Sequence, residues 1–207
     1  MKILTKSFTL FATVMLFAIG TMTAQQEIHF NFNNEKTGDV PENWTNISGK
    51  WVIDQYGTNR VLAQTAQNKG MVFNVAVFDG AVLQDVELSV DILAISGNED
   101  QGGGLIWRYQ DEDNYYIVRF NPLESNYRLY KVENGKRIQL ASAKASILEG
   151  KWFTAKVVMN GNEISCSLGE QELINETDDT FTEAGKTGFW TKADAVSDFD
   201  NFKLKGK

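Results

Sequence analysis

The sequence has few of the residues that build covalent or metal-based crosslinks. Cys166 is the only cysteine and His29 the only histidine among 207 residues. A single cysteine excludes a disulfide within the chain, and one cysteine with one histidine is too few for a typical zinc site. The fold must therefore depend on a hydrophobic core, and a chain of this length can bury a substantial one.

Positive charge is also scarce, and no basic run occurs. The 20 lysines and arginines are outnumbered by 27 aspartates and glutamates, which gives a formal net charge of −7. A protein of this charge does not attract nucleic acids or anionic lipids through its overall field. We therefore expect no nucleic-acid partner, whereas a sugar meets no electrostatic opposition.

Long hydrophobic runs are missing except for one near the N-terminus. Lys2 and Lys6 precede an uncharged apolar run of 12 residues at 8–19, and small residues then lead to Ala24. This order is typical of a secretory signal peptide, and the run is shorter than the about 20 residues of a membrane-spanning helix. We predict a signal peptide at 1–24, one mature domain at 25–207 that does not insert into a membrane, and a secreted or periplasmic location. Loss of Lys2 and Lys6 would change the net charge from −7 to −9.

Apolar residues recur at every second position in many short segments. The segments 71–78 and 85–95 show this period clearly, and short polar turns such as Asn134-Gly135 separate neighbouring segments. Period-two alternation is typical of strands, and short loops favour antiparallel pairing. No sustained helical period is present. The sequence therefore predicts an all-β fold, a two-sheet antiparallel jelly-roll sandwich.

Two blocks of the sequence resemble a known superfamily. Residues 99–143 are similar to the central hairpins of concanavalin A-like, laminarin-G-type jelly rolls, and residues 187–204 (TGFWTKADAVSDFDNFKL) resemble their closing strands. Within this superfamily the chain is most similar to the 3-keto-disaccharide hydrolase domain family. The resemblance implies a jelly roll that binds or cleaves glycans.

The chain departs from the enzymes of that superfamily at two places. The Glu-x-Asp-x-x-Glu motif of laminarinase-type glucanases is absent, since Glu87 and Asp91 are spaced differently and no third acid follows. The segment 104–108 (GLIWR) matches the keto-disaccharide hydrolases, but 114–120 (NYYIVRF) has Tyr and Arg where that family has an acid and an amide. Whether the chain is an enzyme is therefore left open.

Arginines and tyrosines alternate with apolar residues on three central segments. Because an arginine is rarely buried without a partner, we expect Arg108 on the outer face of the sheet and Trp107 in the core. The same reasoning gives a ligand-binding set on that face: Arg108, Tyr115, Arg119, Arg128 and Tyr130. Aromatic rings stack on sugars and guanidinium groups bind hydroxyls or carboxylates, which would favour an anionic or oxidised sugar. The alternative is a solvated face whose arginines pair with nearby acids.

The segment 190–195 (WTKADA) offers a second set of candidates. Trp190, Lys192 and Asp194 alternate, so that they would share a strand face, and a lysine–carboxylate pair can polarise a carbonyl. Asp100 and Gln101 precede three glycines in a loop that could reach the same cleft. We predict Lys192, Asp194 and Asp100 as catalytic candidates, with Trp190 and Gln101 as ligand-binding residues. The alternative is a surface ion pair beside a half-buried tryptophan.

A structural calcium ion is a further hypothesis, because calcium prefers carboxylate and carbonyl oxygens. Asp198 and Asp200, together with Asp39 or Asn33, could meet if the terminal strands pair. No cofactor is required by the sequence.

Three functions are consistent with the sequence. The first is an exported carbohydrate-recognising domain that binds a glycan on its concave sheet face. The second is a hydrolase acting on glycosides, and the third is a structural or adhesive domain of the cell envelope.

Overall fold

The structure, a computed structural model, describes residues 27–206. Within that range the chain forms fifteen β-strands and no helix. The described residues therefore contain no helix that could cross a bilayer. The predicted signal peptide at 1–24 lies outside the described residues.

The strands cover most of the described chain. They are β1 (Glu27–Phe30), β2 (Trp44–Ser48), β3 (Trp51–Tyr56), β4 (Asn59–Gln64), β5 (Phe73–Leu83), β6 (Val86–Ser96), β7 (Gly103–Asp111), β8 (Asn114–Asn121), β9 (Asn126–Glu133), β10 (Lys136–Lys144), β11 (Trp152–Asn160), β12 (Glu163–Leu168), β13 (Gln171–Thr177), β14 (Gly185–Lys192) and β15 (Val196–Gly206).

Every pairing between these strands is antiparallel, and the strands divide into two sheets. One sheet has the order β13-β12-β11-β6-β15-β4-β3, with β1 added alongside the C-terminal half of β15. The other sheet has the order β10-β9-β8-β7-β14-β5-β2. The two sheets pack face to face as a jelly-roll sandwich, which confirms the predicted fold class.

The alternating residues of β6 show why the sheets pack as they do. Val86, Leu88, Val90 and Ile92 are fully buried in the core, while the residues between them face outward. Trp107 is likewise fully buried; its ring stacks on Tyr116 at 5.5 Å, and its indole N–H donates to the sulfur of Met159. The predicted core position of Trp107 is confirmed.

The prediction that Arg108 lies on the outer face is wrong. The pairing of β7 with β8 changes register after Trp107, and Arg108 has a φ of +47°, so the simple alternation ends there. The side chain is 1% exposed and turns toward one end of the sandwich. Its donors bind the carbonyl oxygens of three connections and one carboxylate: Gln84, Gly161, Phe181 and Asp85. Arg108 therefore ties loops together.

Candidate functional site

The seven-stranded sheet buries side chains on its outer face as well as in the core. The cluster there is separate from the core and consists of Val75, Val77, Ile106, Tyr109, Tyr115, Ile117, Tyr130, Val132 and Trp190, with Ile47 and Phe73 packed against it. We call this surface the aromatic face. On a sheet surface that faces water, the side chains are mostly polar and alternate along each strand with the apolar side chains of the core. This surface therefore carries a second buried cluster in addition to the core between the sheets.

Arg137 shows how strongly this sheet curves. It lies on β10, yet its guanidinium carbon is 5.4 Å from the ring centre of Phe73 on β5, and four strands separate β10 from β5. In a flat sheet five strand spacings would amount to about 24 Å, more than two side chains can bridge. The same guanidinium is 4.7 Å from the ring of Tyr130 and 5.7 Å from that of Trp190. The aromatic face is therefore concave.

A network of charged groups centred on Arg119 lies on this face. Arg119 is 2% exposed, and it donates to Asn126 Oδ1 at 2.9 Å, to Glu124 Oε2 at 2.9 Å and to the Tyr130 hydroxyl at 3.3 Å. Arg128 donates to the same Glu124 oxygen at 3.1 Å. The Nε of Arg119 is buried and has no partner.

The carboxylate of Glu124 is held in its ionised form. Partial burial raises its pKa, but hydrogen bonds from Asn126 and Arg119, with the charges of Arg119 and Arg128, outweigh that effect and lower the pKa to about 2. Glu124 therefore acts as a fixed acceptor that orients two arginines.

Asp100 forms a second charged group at the end of the aromatic face. Its Oδ2 lies 3.3 Å from Lys192 Nζ, and its Oδ1 accepts from Asn121 Nδ2 at 2.9 Å and from the Gln101 N–H at 3.0 Å. Lys192 does pair with a carboxylate, but the partner is Asp100 and not Asp194, the partner predicted from the sequence. The Oε1 of Gln101 is buried without a hydrogen-bond partner.

Asp194 has a different position from the one predicted. β14 ends at Lys192, so the alternation stops and Asp194 lies in the following turn. Its carboxylate accepts the successive backbone N–H groups of residues 98–100 at 2.7–3.0 Å. Burial raises its pKa, but these three donors outweigh burial and lower it. The prediction that Asp194 shares a face with Trp190 is wrong, and its role is to hold the loop that carries Asp100.

The structure brings most of the predicted ligand-binding residues together. Of the set named from the sequence, the residues on or beside the aromatic face are Tyr115, Arg119, Arg128, Tyr130, Gln101 and Trp190. Burial raises the pKa of Tyr115 far above its ordinary value, so that its hydroxyl stays protonated.

Sequence reasoning missed Arg137, Phe73 and Glu124. A signal for Arg137 was available, because the tight turn at Asn134-Gly135 sets the hairpin register and places Arg137 opposite Val132. No local signal pointed to Glu124, whose partners depend on how the chain turns between β8 and β9.

The predicted metal ligands do not meet. Among residues 27–206 no group of three or more His, Cys, Asp or Glu side chains is close enough to hold a metal ion. Asp39 is exposed and pairs with Lys36, apart from Asp198 and Asp200. Burial, together with the nearby charge of Asp54, raises the pKa of Asp198 to about 6. The predicted triad is therefore not assembled, and calcium binding stays a prediction.

Comparisons with known proteins identify the fold. No protein-family model matches the sequence, and neither does any curated protein. Among solved structures, the carbohydrate-binding module CBM66 from Bacillus subtilis superposes with a TM-score of 0.68 at 22% identity, over 79% of this chain and 96% of that one.

Two further structures show the same architecture. A Bacillus subtilis protein of unknown function with a galectin-like fold has a TM-score of 0.61 at 11% identity, over 88% of this chain and 98% of that one. The GH43 protein BlXynB from Bacillus licheniformis has a TM-score of 0.64 at 14% identity, over 86% of this chain. This chain corresponds to only 39% of that longer protein. The chain thus shares its jelly-roll sandwich fold with these structures, and proteins that bind or act on glycans are among them.

Proposed function

We propose that this protein is an exported carbohydrate-binding module that holds a glycan in its aromatic face. The observation that carries the proposal is the coincidence, in one concave surface, of buried aromatic rings with buried hydrogen-bonding atoms that have no partner. The Nε of Arg119 and the Nη1 of Arg137 are both of this kind.

The chemistry of this concave surface suits a sugar. A partly exposed aromatic ring such as that of Phe73 can pack on the apolar CH groups of a pyranose, while a few fixed polar groups set its orientation. A buried donor without a partner costs about 1–3 kcal/mol, and a ligand that satisfies it recovers that free energy. Sugar hydroxyls can accept from Arg119 and Arg137 in this way.

The state of the carboxylates favours binding over hydrolysis. Glycoside hydrolysis needs a carboxyl group that is protonated near neutral pH. Glu124, with a pKa of about 2, cannot supply that proton. Asp100 accepts hydrogen bonds from the Gln101 N–H, Asn121 and Lys192. Both carboxylates therefore serve to position cations and amides.

The comparison with CBM66 supports the same proposal, since that structure is described as a carbohydrate-binding module and the superposition includes 96% of its chain. Export follows from the predicted signal peptide, and it would place the module where extracellular glycans occur. N-terminal sequencing of the protein recovered from outside the cytoplasm should give a start near Gln25.

A glycan-array screen followed by calorimetry tests the binding function. We expect binding to at least one glycan, and Arg119→Met should weaken it about tenfold or more, because a charged hydrogen-bond donor is lost. The matched control, Lys156→Met on the opposite sheet, should bind as the wild type does. Repeating the screen with and without calcium tests the predicted ion.

Product release from 3-keto-glycosides, measured in parallel, separates binding from hydrolysis. Turnover would replace the binding module with the glycoside hydrolase. Binding to no glycan would contradict the proposal and leave an envelope scaffold as the remaining function.

A further inference from the structure

We infer that the glycan carries a carboxylate and that Arg137 binds it, so that the ligand class is an acidic sugar such as a uronic acid. This inference rests on the proposed function, because it names the chemical class of ligand for the same face. It depends on a difference between Arg137 and the other cations of that face.

Arg137 is the cation of the aromatic face that lacks a carboxylate. Arg119 and Arg128 both pair with Glu124, and Lys192 pairs with Asp100. Within residues 27–206 no carboxylate oxygen lies within 4.0 Å of a nitrogen of Arg137, and its buried Nη1 has no hydrogen-bond partner at all. Arg137 as a whole is partly buried. A guanidinium that is partly removed from water and has no carboxylate partner costs free energy that an incoming anion recovers.

The aromatic rings fix Arg137 without neutralising it. Its guanidinium carbon lies 4.7–5.7 Å from the ring centres of Tyr130, Phe73 and Trp190. An aromatic ring attracts the positive charge of a guanidinium but offers its N–H groups no oxygen acceptor. The fork of donors is therefore held in place before a ligand arrives, which lowers the entropy cost of binding.

The balance of charge on this face also favours an anion. The contacts described above join four cations, Arg119, Arg128, Arg137 and Lys192, to two carboxylates, Asp100 and Glu124. This local surplus of positive charge occurs in a chain whose formal net charge is −7. A carboxylate matches a guanidinium fork with two parallel hydrogen bonds, and a neutral hydroxyl does not.

Matched pairs of glycans test the inference. Polygalacturonate, alginate and glucuronoxylan oligosaccharides would each be measured by calorimetry beside their methyl-esterified or carboxyl-reduced forms, together with a panel of neutral glycans. We expect at least one acid form to bind about tenfold more tightly than its neutral counterpart.

Two variants with the same change in charge then assign the preference to Arg137. Arg137→Met removes one positive charge from the aromatic face, and Lys156→Met removes one from the opposite sheet. The ratio of acid to neutral affinity should fall close to 1 in Arg137→Met and stay unchanged in Lys156→Met. Arg137→Lys, which keeps the charge and loses the fork, should give an intermediate ratio, and thermal unfolding confirms that each variant is folded.

The outcomes separate this inference from the function on which it rests. Tight binding of a neutral glycan with no preference for any acid form would overturn the acidic-sugar class and leave the binding module intact. An acid preference that survives Arg137→Met would overturn the role of Arg137. Binding to no glycan of either kind would overturn the proposed function itself.

Discussion

The two outer faces of the sandwich differ in how their side chains are satisfied. We call the outer surface of the eight-stranded sheet the charged face. There Lys156 pairs with Glu87, and the carboxylate of Asp91 accepts hydrogen bonds from Thr154 and Asn201. The aromatic face instead buries whole rings and leaves donors without partners. A sheet needs only the first arrangement in order to face water, and the second arrangement is the one on which the proposed ligand site rests.

The faces also differ in the sign of the charge that they leave uncompensated. On the charged face it is a carboxylate: Asp198 is 8% exposed and has a raised pKa. On the aromatic face it is the guanidinium of Arg137. A carboxylate can escape the cost of burial by taking up a proton, whereas an arginine cannot at any ordinary pH. The aromatic face therefore keeps its positive charge at any ordinary pH, as the proposed acidic ligand requires.

The largest expected difference between the faces is in their tryptophans. Trp190 is 1% exposed and contacts Phe73 at 5.2 Å, whereas Trp152 on the charged face is half-buried beside Tyr56. Trp190→Ala should lower the free energy of unfolding by about 3–5 kcal/mol, as in a core, and Trp152→Ala by about 1–2 kcal/mol. Urea unfolding of both variants measures this, and equal losses would remove the distinction between the faces.

Alternation along the strands was enough to predict which residues share the aromatic face on β8 and β9. Tyr115 and Arg119 on one strand, and Arg128 and Tyr130 on the next, follow the period of two without interruption. The prediction for Arg108 was wrong because a bulge interrupts that period. A bulge of this kind depends on positive φ at a residue with a full side chain, and composition does not reveal it.

The curvature of the sheet could not be predicted, and it creates the concave aromatic face. The contact of Arg137 with Phe73 requires β14 to lie between β5 and β7, although β14 is distant from both in sequence. Local patterns specify strands and faces, whereas the order of strands in a sheet is set by packing of the whole chain. The same limit applies to Asp194, whose partners at 98–100 are almost a hundred residues away.

A substitution at Asp198 is expected to change the free energy of unfolding by less than Trp190→Ala does, and to raise it instead of lowering it. Its pKa of about 6 is above the value of about 4 in an unfolded chain, so its contribution to stability is present below pH 4 and is lost as the pH rises through 6. Asp198→Asn should therefore stabilise the protein by up to about 3 kcal/mol at pH 7 and hardly at all at pH 4. Thermal unfolding from pH 4 to 8 measures this.

Asp39→Asn is a suitable control for that experiment, because Asp39 is exposed. It should change stability by less than about 0.5 kcal/mol at either pH. A gain from Asp198→Asn that did not depend on pH would show that the cost at Asp198 is steric and not electrostatic.

Asp194 holds the loop beside the aromatic face, and its substitution is expected to lower stability by a moderate amount. Asp194→Ala removes the acceptor for three backbone N–H groups, which water can partly replace because this part of the loop is exposed. Stability should fall by about 1–2 kcal/mol. If the loop positions Asp100 for ligand, glycan affinity should fall as well, although Asp194 itself touches no ligand. Calorimetry with the bound glycan checks this, and unchanged affinity would separate the loop from the site.

The smallest effect is expected from the ion pairs of the charged face. Lys156 is 40% exposed and its partner Glu87 34% exposed, so water and salt screen their attraction. Lys156→Ala should change the free energy of unfolding by less than about 1 kcal/mol, and added salt should reduce even that. Urea unfolding at two ionic strengths measures it. A cost near that of Trp190→Ala would mean that the charged face is as tightly organised as the aromatic face, and the contrast on which the ligand site is argued would then be lost.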